Sequence, residues 1–178
     1  MTDGLPTVAE LDALDAERCV AALAPLFEDA PCYLARLCAT RPFGDAAGLF
    51  ATARAIARAM PEPERLELID SHPRLGAPPG SVSAHSFVEQ GYDREAAGAA
   101  AERERARVAA ELERLNAAYE ARFGFRYCVF VAGRPRAALL AEFEAALGAG
   151  REAEIARALD AVVDIAADRY GKVTARRA

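Results

Sequence analysis

LNAAYEARFGFRYCVFV, residues 115–131, is the stretch on which the fold class turns. Its first half is the end of a long helix running from about Asp93 to Arg122. That helix stops at Gly124, a residue free to take the left-handed conformation in which helices commonly end. Its second half, Phe125 to Val131, is the one segment rich in β-forming residues and reads as extended and buried. One strand makes no sheet, so the class is decided by what lies on either side.

On both sides the periodicity is helical. Leu11 and Leu14 suggest a short first helix. Asp15 is placed to cap a second, with Val20, Leu23 and Phe27 inward. Pro31 opens a third, carrying Leu34 and Leu37, that stops before Arg41-Pro42. Ala46 to Met60 forms a fourth, with Leu49, Phe50 and Ile56 inward. Pro61 and Pro63 break the chain, and Glu64 to Asp70 forms a fifth, bearing Leu66 and Ile69. That helix must end near His72, because Pro73 follows. Residues 73–85 form an irregular loop, and Ser86 to Gln90 a short helical turn. Beyond the extended stretch, Pro135 opens a helix to Leu147, and a last one runs from about Glu152 to Tyr170. The expectation is all-α: a single compact multi-helix domain over residues 1–178, with about seven to nine helices and one short extended segment.

The bulk properties agree. A chain of 178 residues with 53% hydrophobic and 28% charged content suits one soluble domain. Abundant alanine and sparse β-branched residues favour helix. The net charge of −5 disfavours a nucleic-acid surface. No apolar run approaches the roughly 20 residues that span a bilayer. The acidic N-terminus, MTDGLPTVAELDALD, does not read as a signal peptide, and TARRA at the C-terminus is not the peroxisomal tripeptide. A cytoplasmic location is expected. The four cysteines, Cys19, Cys32, Cys38 and Cys128, form no CxxC pair and are expected to be reduced. Scattered thiols and two histidines offer no metal-ligand spacing. Lys172 is the only lysine, which disfavours Schiff-base chemistry. No Gly-rich phosphate loop and no nucleophile elbow are present.

Candidate chemistry gathers in residues 71–90, SHPRLGAPPGSVSAHSFVEQ. His72 sits where a helix meets an irregular loop. Its ordinary pKa near 6.5 suits general acid–base work, and a helix C-terminus favours its charged form. It could equally cap the helix end. Ser86-x-x-Glu89 has the spacing of a capping box, in which each side chain satisfies the other's backbone amide. That role and a role in binding can coexist. His85, one residue before that cap, is expected to face water. Asn116 and Tyr119 either bind a ligand or tie a helix to a loop. Arg134 and Arg169 each want a carboxylate, from the protein or from a ligand.

Taken together, PLFEDAPCYLARLCATRPF (25–43), LIDSHPRLG (68–76), SFVEQ (86–90), LNAAYEARFGF (115–125) and VAGRPRAALLAEFEAALG (131–148) resemble the OHCU (2-oxo-4-hydroxy-4-carboxy-5-ureidoimidazoline) decarboxylases of urate breakdown. The resemblance implies an all-helical, cofactor-free homodimer that forms (S)-allantoin and CO₂ from a small-molecule substrate. It assigns His72 as the catalytic histidine and Glu89 as its acidic partner, and it places Pro73, Ser86, Gln90 and Arg169 against the substrate. A related ureido or imidazoline acid, or a helical interaction module without catalysis, are the alternatives. Two stretches depart from the pattern common in the family. Arg74-Leu75-Gly76-Ala77-Pro78-Pro79 stands where Asp-Leu-Ala-Gly is frequent, and Gly91-Tyr92-Asp93-Arg94 follows Glu-Gln where the chain often continues toward Ala-Gly-Leu.

Overall fold

The computed structural model describes residues 5–175, which form nine α-helices, three short 3₁₀ turns and no β-strand. The all-α expectation therefore holds. The chain divides into two compact units: residues up to His72 together with those from Leu159 onward, and Pro73 to Ala158.

The first unit opens with α1 (Val8–Ala13). Its cap is Thr7, whose hydroxyl accepts from the Glu10 amide while the Glu10 carboxylate accepts from the Thr7 amide, a reciprocal box. In α2 (Ala16–Leu23), Asp15 is the expected cap, accepting from the Arg18 amide at 2.8 Å. A 3₁₀ turn (Ala24–Leu26) leads to α3 (Pro31–Ala39), which starts at its proline as expected. Glu28 and Asp29, between them, both take positive φ (50° and 60°), an uncommon conformation for residues with side chains. Helix α4 (Ala46–Ala59) is capped by Asp45, and its fully buried face is Leu49, Ala53 and Ala57; Phe50 and Ile56 are half-buried. Helix α5 (Glu62–Asp70) starts earlier than expected, because Pro61 serves as the N-cap and Pro63 fits in the first turn, where no amide donor is needed.

The expectation of four reduced cysteines fails for one pair. Cys19 on α2 and Cys38 on α3, both buried, form a disulfide across a Cα separation of 6.1 Å, while Cys32 and Cys128 are not disulfide-bonded. Neighbouring helix faces bring together residues that no short motif connects.

In the second unit, a 3₁₀ turn (Pro79–Ser81), helix α6 (Ala84–Glu89) and another 3₁₀ turn (Tyr92–Arg94) precede α7 (Ala99–Phe123). The long helix begins later than expected, because Gly98 with φ of 107° cannot belong to it. Gly124 closes it in the left-handed conformation, as expected. Helix α8 (Arg136–Ala146) follows Pro135, and α9 (Arg151–Ala175) ends the described chain. Helices α7 and α8 and the segment between them meet in an aromatic cluster. Tyr119 lies within 6 Å of the rings of Phe123, Phe125, Tyr127 and Phe143, and Tyr127 stacks on Phe143 at 3.7 Å.

The stretch 125–131 forms neither helix nor strand among the described residues. Its carbonyls are met by arginines instead: Arg157 donates to Cys128 at 2.8 Å, and Arg134 to Phe130 and Val131 at 2.8 and 3.1 Å. Arg157 is itself paired with the buried Glu154 at 2.7 Å, and Tyr119 donates its hydroxyl to the same carboxylate at 2.8 Å. Arg157 Nε, Arg157 Nη2 and the Tyr119 hydroxyl all meet Oε2 of this carboxylate, and the two arginine contacts are charge-assisted.

Candidate active site

His72 terminates the first unit's run of helices, two residues past the end of α5. Its imidazole is 3% exposed. Nδ1 lies 3.3 Å from the Leu68 carbonyl and 3.3 Å from the Ser71 hydroxyl. A carbonyl can only accept, so the proton is assigned to Nδ1, which makes Nε2 the basic nitrogen. The expectation that the helix end would favour the charged ring is overturned. Burial, followed by the positive charge of Arg169, pushes its pKa down to about 4, against the smaller opposing pulls of Glu28 and the Leu68 carbonyl. The ring is neutral at pH 7, because losing its hydration costs more than one helix-end dipole returns.

Arg169, on α9 in the same unit, has a side chain only 1% exposed. It donates Nη1 to the carbonyls of Pro25 and Leu26 at 3.1 and 3.3 Å and Nη2 to Glu28 at 2.7 Å. Its carboxylate partner is thus from the protein, on the left-handed turn that follows α2. Glu28 is the residue that sequence reasoning missed. It lies within the quoted block 25–43, and an acid pair followed closely by a proline is a turn signal, yet nothing local marks it as the partner of an arginine in the last helix.

In the second unit, Pro73 begins the loop and is half-buried. The capping-box reading of Ser86 and Glu89 is corrected: the cap of α6 is Ser83, whose hydroxyl accepts from the Ser86 amide at 3.1 Å. Ser86 is therefore one turn inside the helix and buried, and Glu89 is the last helical residue, half-buried. Three serines in six residues gave two plausible starts, and the earlier one won. His85 also falls inside α6 and is half-buried rather than facing water.

Gln90 is buried and fully engaged by the loop. Its Oε1 accepts from the Gly76 amide at 2.7 Å and its Nε2 donates to the Arg74 carbonyl at 3.2 Å. The two departures from the family pattern supply further anchors. Arg74 forms a forked pair with Glu120 of α7, its Nε at 2.6 Å, and the Tyr92 hydroxyl donates to the Ala77 carbonyl. Gly76 is required as glycine. Its φ is +83°, and a Cβ there would stand 2.7 Å from a methyl of Leu112. Asn116 donates to the Leu75 and Leu112 carbonyls at 3.0 and 2.9 Å, so it ties helix to loop. The unusual residues around the His-Pro loop thus have a structural account within their own unit. Arg134, the other arginine singled out, pairs with Glu142 at 2.8 Å.

The fold is shared with solved structures. A crystal structure of (S)-allantoin synthase superposes over 93% of this chain and 53% of its own, with a TM-score of 0.65 at 22% identity. A crystal structure of OHCU decarboxylase in the presence of (S)-allantoin does so over 91% and 99%, with a TM-score of 0.64 at 19% identity. The chain belongs to the OHCU decarboxylase family, whose model matches residues 12–171. Among curated relatives, the 2-oxo-4-hydroxy-4-carboxy-5-ureidoimidazoline decarboxylase of Halalkalicoccus jeotgali is 26% identical over 96% of this chain and 93% of its own length. The uric acid degradation bifunctional protein PucL of Bacillus subtilis is 28% identical over 94% of this chain. The chain spans about a third of that relative's length (32%).

Proposed function

We propose that this chain decarboxylates 2-oxo-4-hydroxy-4-carboxy-5-ureidoimidazoline to (S)-allantoin in urate breakdown, as a carboxy-lyase. The observation that carries the reading is the family match over residues 12–171, which spans His72, Ser86, Glu89, Gln90 and Arg169. The chemistry of the buried histidine supports it.

In the proposed reaction the bond from the ring carbon to the carboxylate breaks and CO₂ leaves. The electron pair passes into the adjacent carbon–nitrogen double bond of the ring, so the substrate supplies its own electron sink. The ring nitrogen that receives the pair is protonated. The neutral His72, basic at Nε2, takes the proton of the substrate's hydroxyl, and the resulting enolate closes to a carbonyl as its electron pair moves to the neighbouring carbon. A proton delivered to one face of the neighbouring carbon, which bears the ureido group, sets the stereocentre. Glu89 orients the hydroxyl and shares the proton transfer. Arg169, already held by Glu28, binds ring or ureido oxygens rather than the departing carboxylate, since gripping that group would stabilise the ground state. Pro73, Ser86 and Gln90 bind the substrate. The acidic net charge supports a small-molecule substrate without nucleic acid, and the family resemblance supports a cytoplasmic homodimer.

The test follows allantoin chirality by circular dichroism on freshly generated substrate. His72→Ala and Glu89→Ala are each expected to lower kcat/KM by about 10²–10⁴-fold, the usual worth of a proton-transfer group. Near wild-type production of one enantiomer by both variants would refute the assignment.

A further inference from the structure

The second unit contains a cavity of about 390 Å³ whose arginines the proposed reaction does not use. Arg94, Arg105, Arg134 and Arg136 line it, against the carboxylates Glu95 and Glu104, in a chain of net charge −5. Two of these charges are closed by partners outside the lining. Glu104 accepts from Arg107 at 2.9 and 2.7 Å, and Arg134 is taken by Glu142 at 2.8 Å and by backbone carbonyls. Arg94, Arg105 and Arg136 remain around one lining carboxylate. Glu95 pairs with Arg136 and, at 3.5 Å, with Arg105. Arg94 meets its sequence neighbour Asp93 at 3.6 Å. Three guanidinium groups therefore face two carboxylates, and positive charge is left over.

Arg136 is the fixed point of this cluster. Its side chain is 14% exposed, and its guanidinium lies over the Tyr92 ring at 4.0 Å. Its Nη1 is buried and donates to no acceptor among the described residues. A buried charged donor without an acceptor carries a desolvation cost that an oxyanion oxygen would remove. The volume falls within the range of small-molecule sites, and a planar guanidinium fork fits carboxylate and phosphate alike.

We propose that this cavity is a second binding site, for a small molecule bearing a carboxylate or phosphate group, with Arg136 as its buried anchor and Arg94 and Arg105 as flanking cations. The proposal does not depend on the decarboxylase reading, because its test reads binding and not turnover. Gln90 also borders the cavity, so occupancy there reaches the side chain that braces the loop at Arg74 and Gly76.

The experiment is calorimetric titration of the full chain with inorganic phosphate and, separately, with malonate, at constant ionic strength. Saturable binding of at least one anion is expected, weakened tenfold or more by Arg136→Gln and by Arg94→Gln. Arg103→Gln, which removes the same charge from an exposed position outside the cavity, is expected to bind as the wild type does. Tighter malonate assigns the site to carboxylates, tighter phosphate to phosphorylated ligands. Circular dichroism checks each variant's fold, and Arg94→Gln carries the test if Arg136→Gln unfolds. Absence of saturable binding by either anion overturns the proposal, as does an equal loss in Arg103→Gln, which would mean attraction by bulk charge.

Discussion

The buried neutral histidine makes the protein's stability depend on pH in a direction that can be checked against a variant. His72 has a pKa of about 4 in the folded chain and 6.5 ordinarily. Between those values the unfolded chain binds the proton and the folded chain does not, so acid favours unfolding. Stability is fully present above pH 6.5 and is lost as the pH falls toward 4. At about 1.4 kcal/mol per pH unit, the gap corresponds to on the order of 3 kcal/mol, a large share of the ~5–15 kcal/mol typical of a folded domain. The assay is urea unfolding of the wild type and of His72→Gln, followed by far-ultraviolet circular dichroism at half-unit steps from pH 4 to 7.5. Gln cannot titrate, and its amide can still donate to the Leu68 carbonyl. Carboxylates elsewhere titrate in both proteins and cancel in the difference. The wild type is expected to lose about 3 kcal/mol more than the variant over the window. Parallel curves would refute the reasoning. A wild type that gains on the variant in acid would restore the helix-dipole expectation, in which the charged ring is favoured.

Further outcomes follow from neighbouring contacts. Arg169 lowers and Glu28 raises the His72 pKa, so Arg169→Gln should move the ring's NMR titration midpoint upward and Glu28→Gln downward; shifts of the same sign would contradict the charge cluster. Gln90→Ala leaves the Gly76 amide and the Arg74 carbonyl without their bonds and is expected to cost about 1–3 kcal/mol in denaturant midpoint, with loop 73–85 becoming more open to proteolysis. Tyr119→Phe removes one donor from the buried Glu154 while Arg157 remains; about 1–2 kcal/mol of stability should be lost, against none if the hydroxyl is merely tolerated there.

The helices were legible because their signals are local. Asp15 caps, Pro31 and Pro135 open, and Gly124 stops, each by chemistry confined to one turn. Errors arose where a local signal had a rival a few residues away. Ser83 displaced Ser86 as a cap, Pro61 moved the start of α5 forward, and Gly98 delayed α7. The candidate site was legible only in its residue types. The pull of the helix dipole on His72 can be read from its neighbours, whereas its burial and the charge of Arg169 depend on packing by a helix far along the chain. The Glu28–Arg169 pair, the Cys19–Cys38 disulfide and the arginine clamps on residues 128–131 are likewise tertiary, and no spacing rule announces them. The departures Arg74 and Tyr92 were visible from the start, but their work as loop anchors needed the positions of Glu120 and Ala77.

The segment from Phe125 to Val131 has one more consequence. It has the makeup of an amyloid-forming heptapeptide: aromatic and β-branched, with a single charge at Arg126 and no proline. While the chain is folded, Arg134 and Arg157 occupy several of its carbonyls, so it offers little to a second molecule. Once denatured, it becomes a template for intermolecular cross-β stacking. Refolding yield should therefore fall steeply with protein concentration, and a charged replacement at the half-buried Phe130 should restore solubility to the unfolded chain at modest cost to the native one.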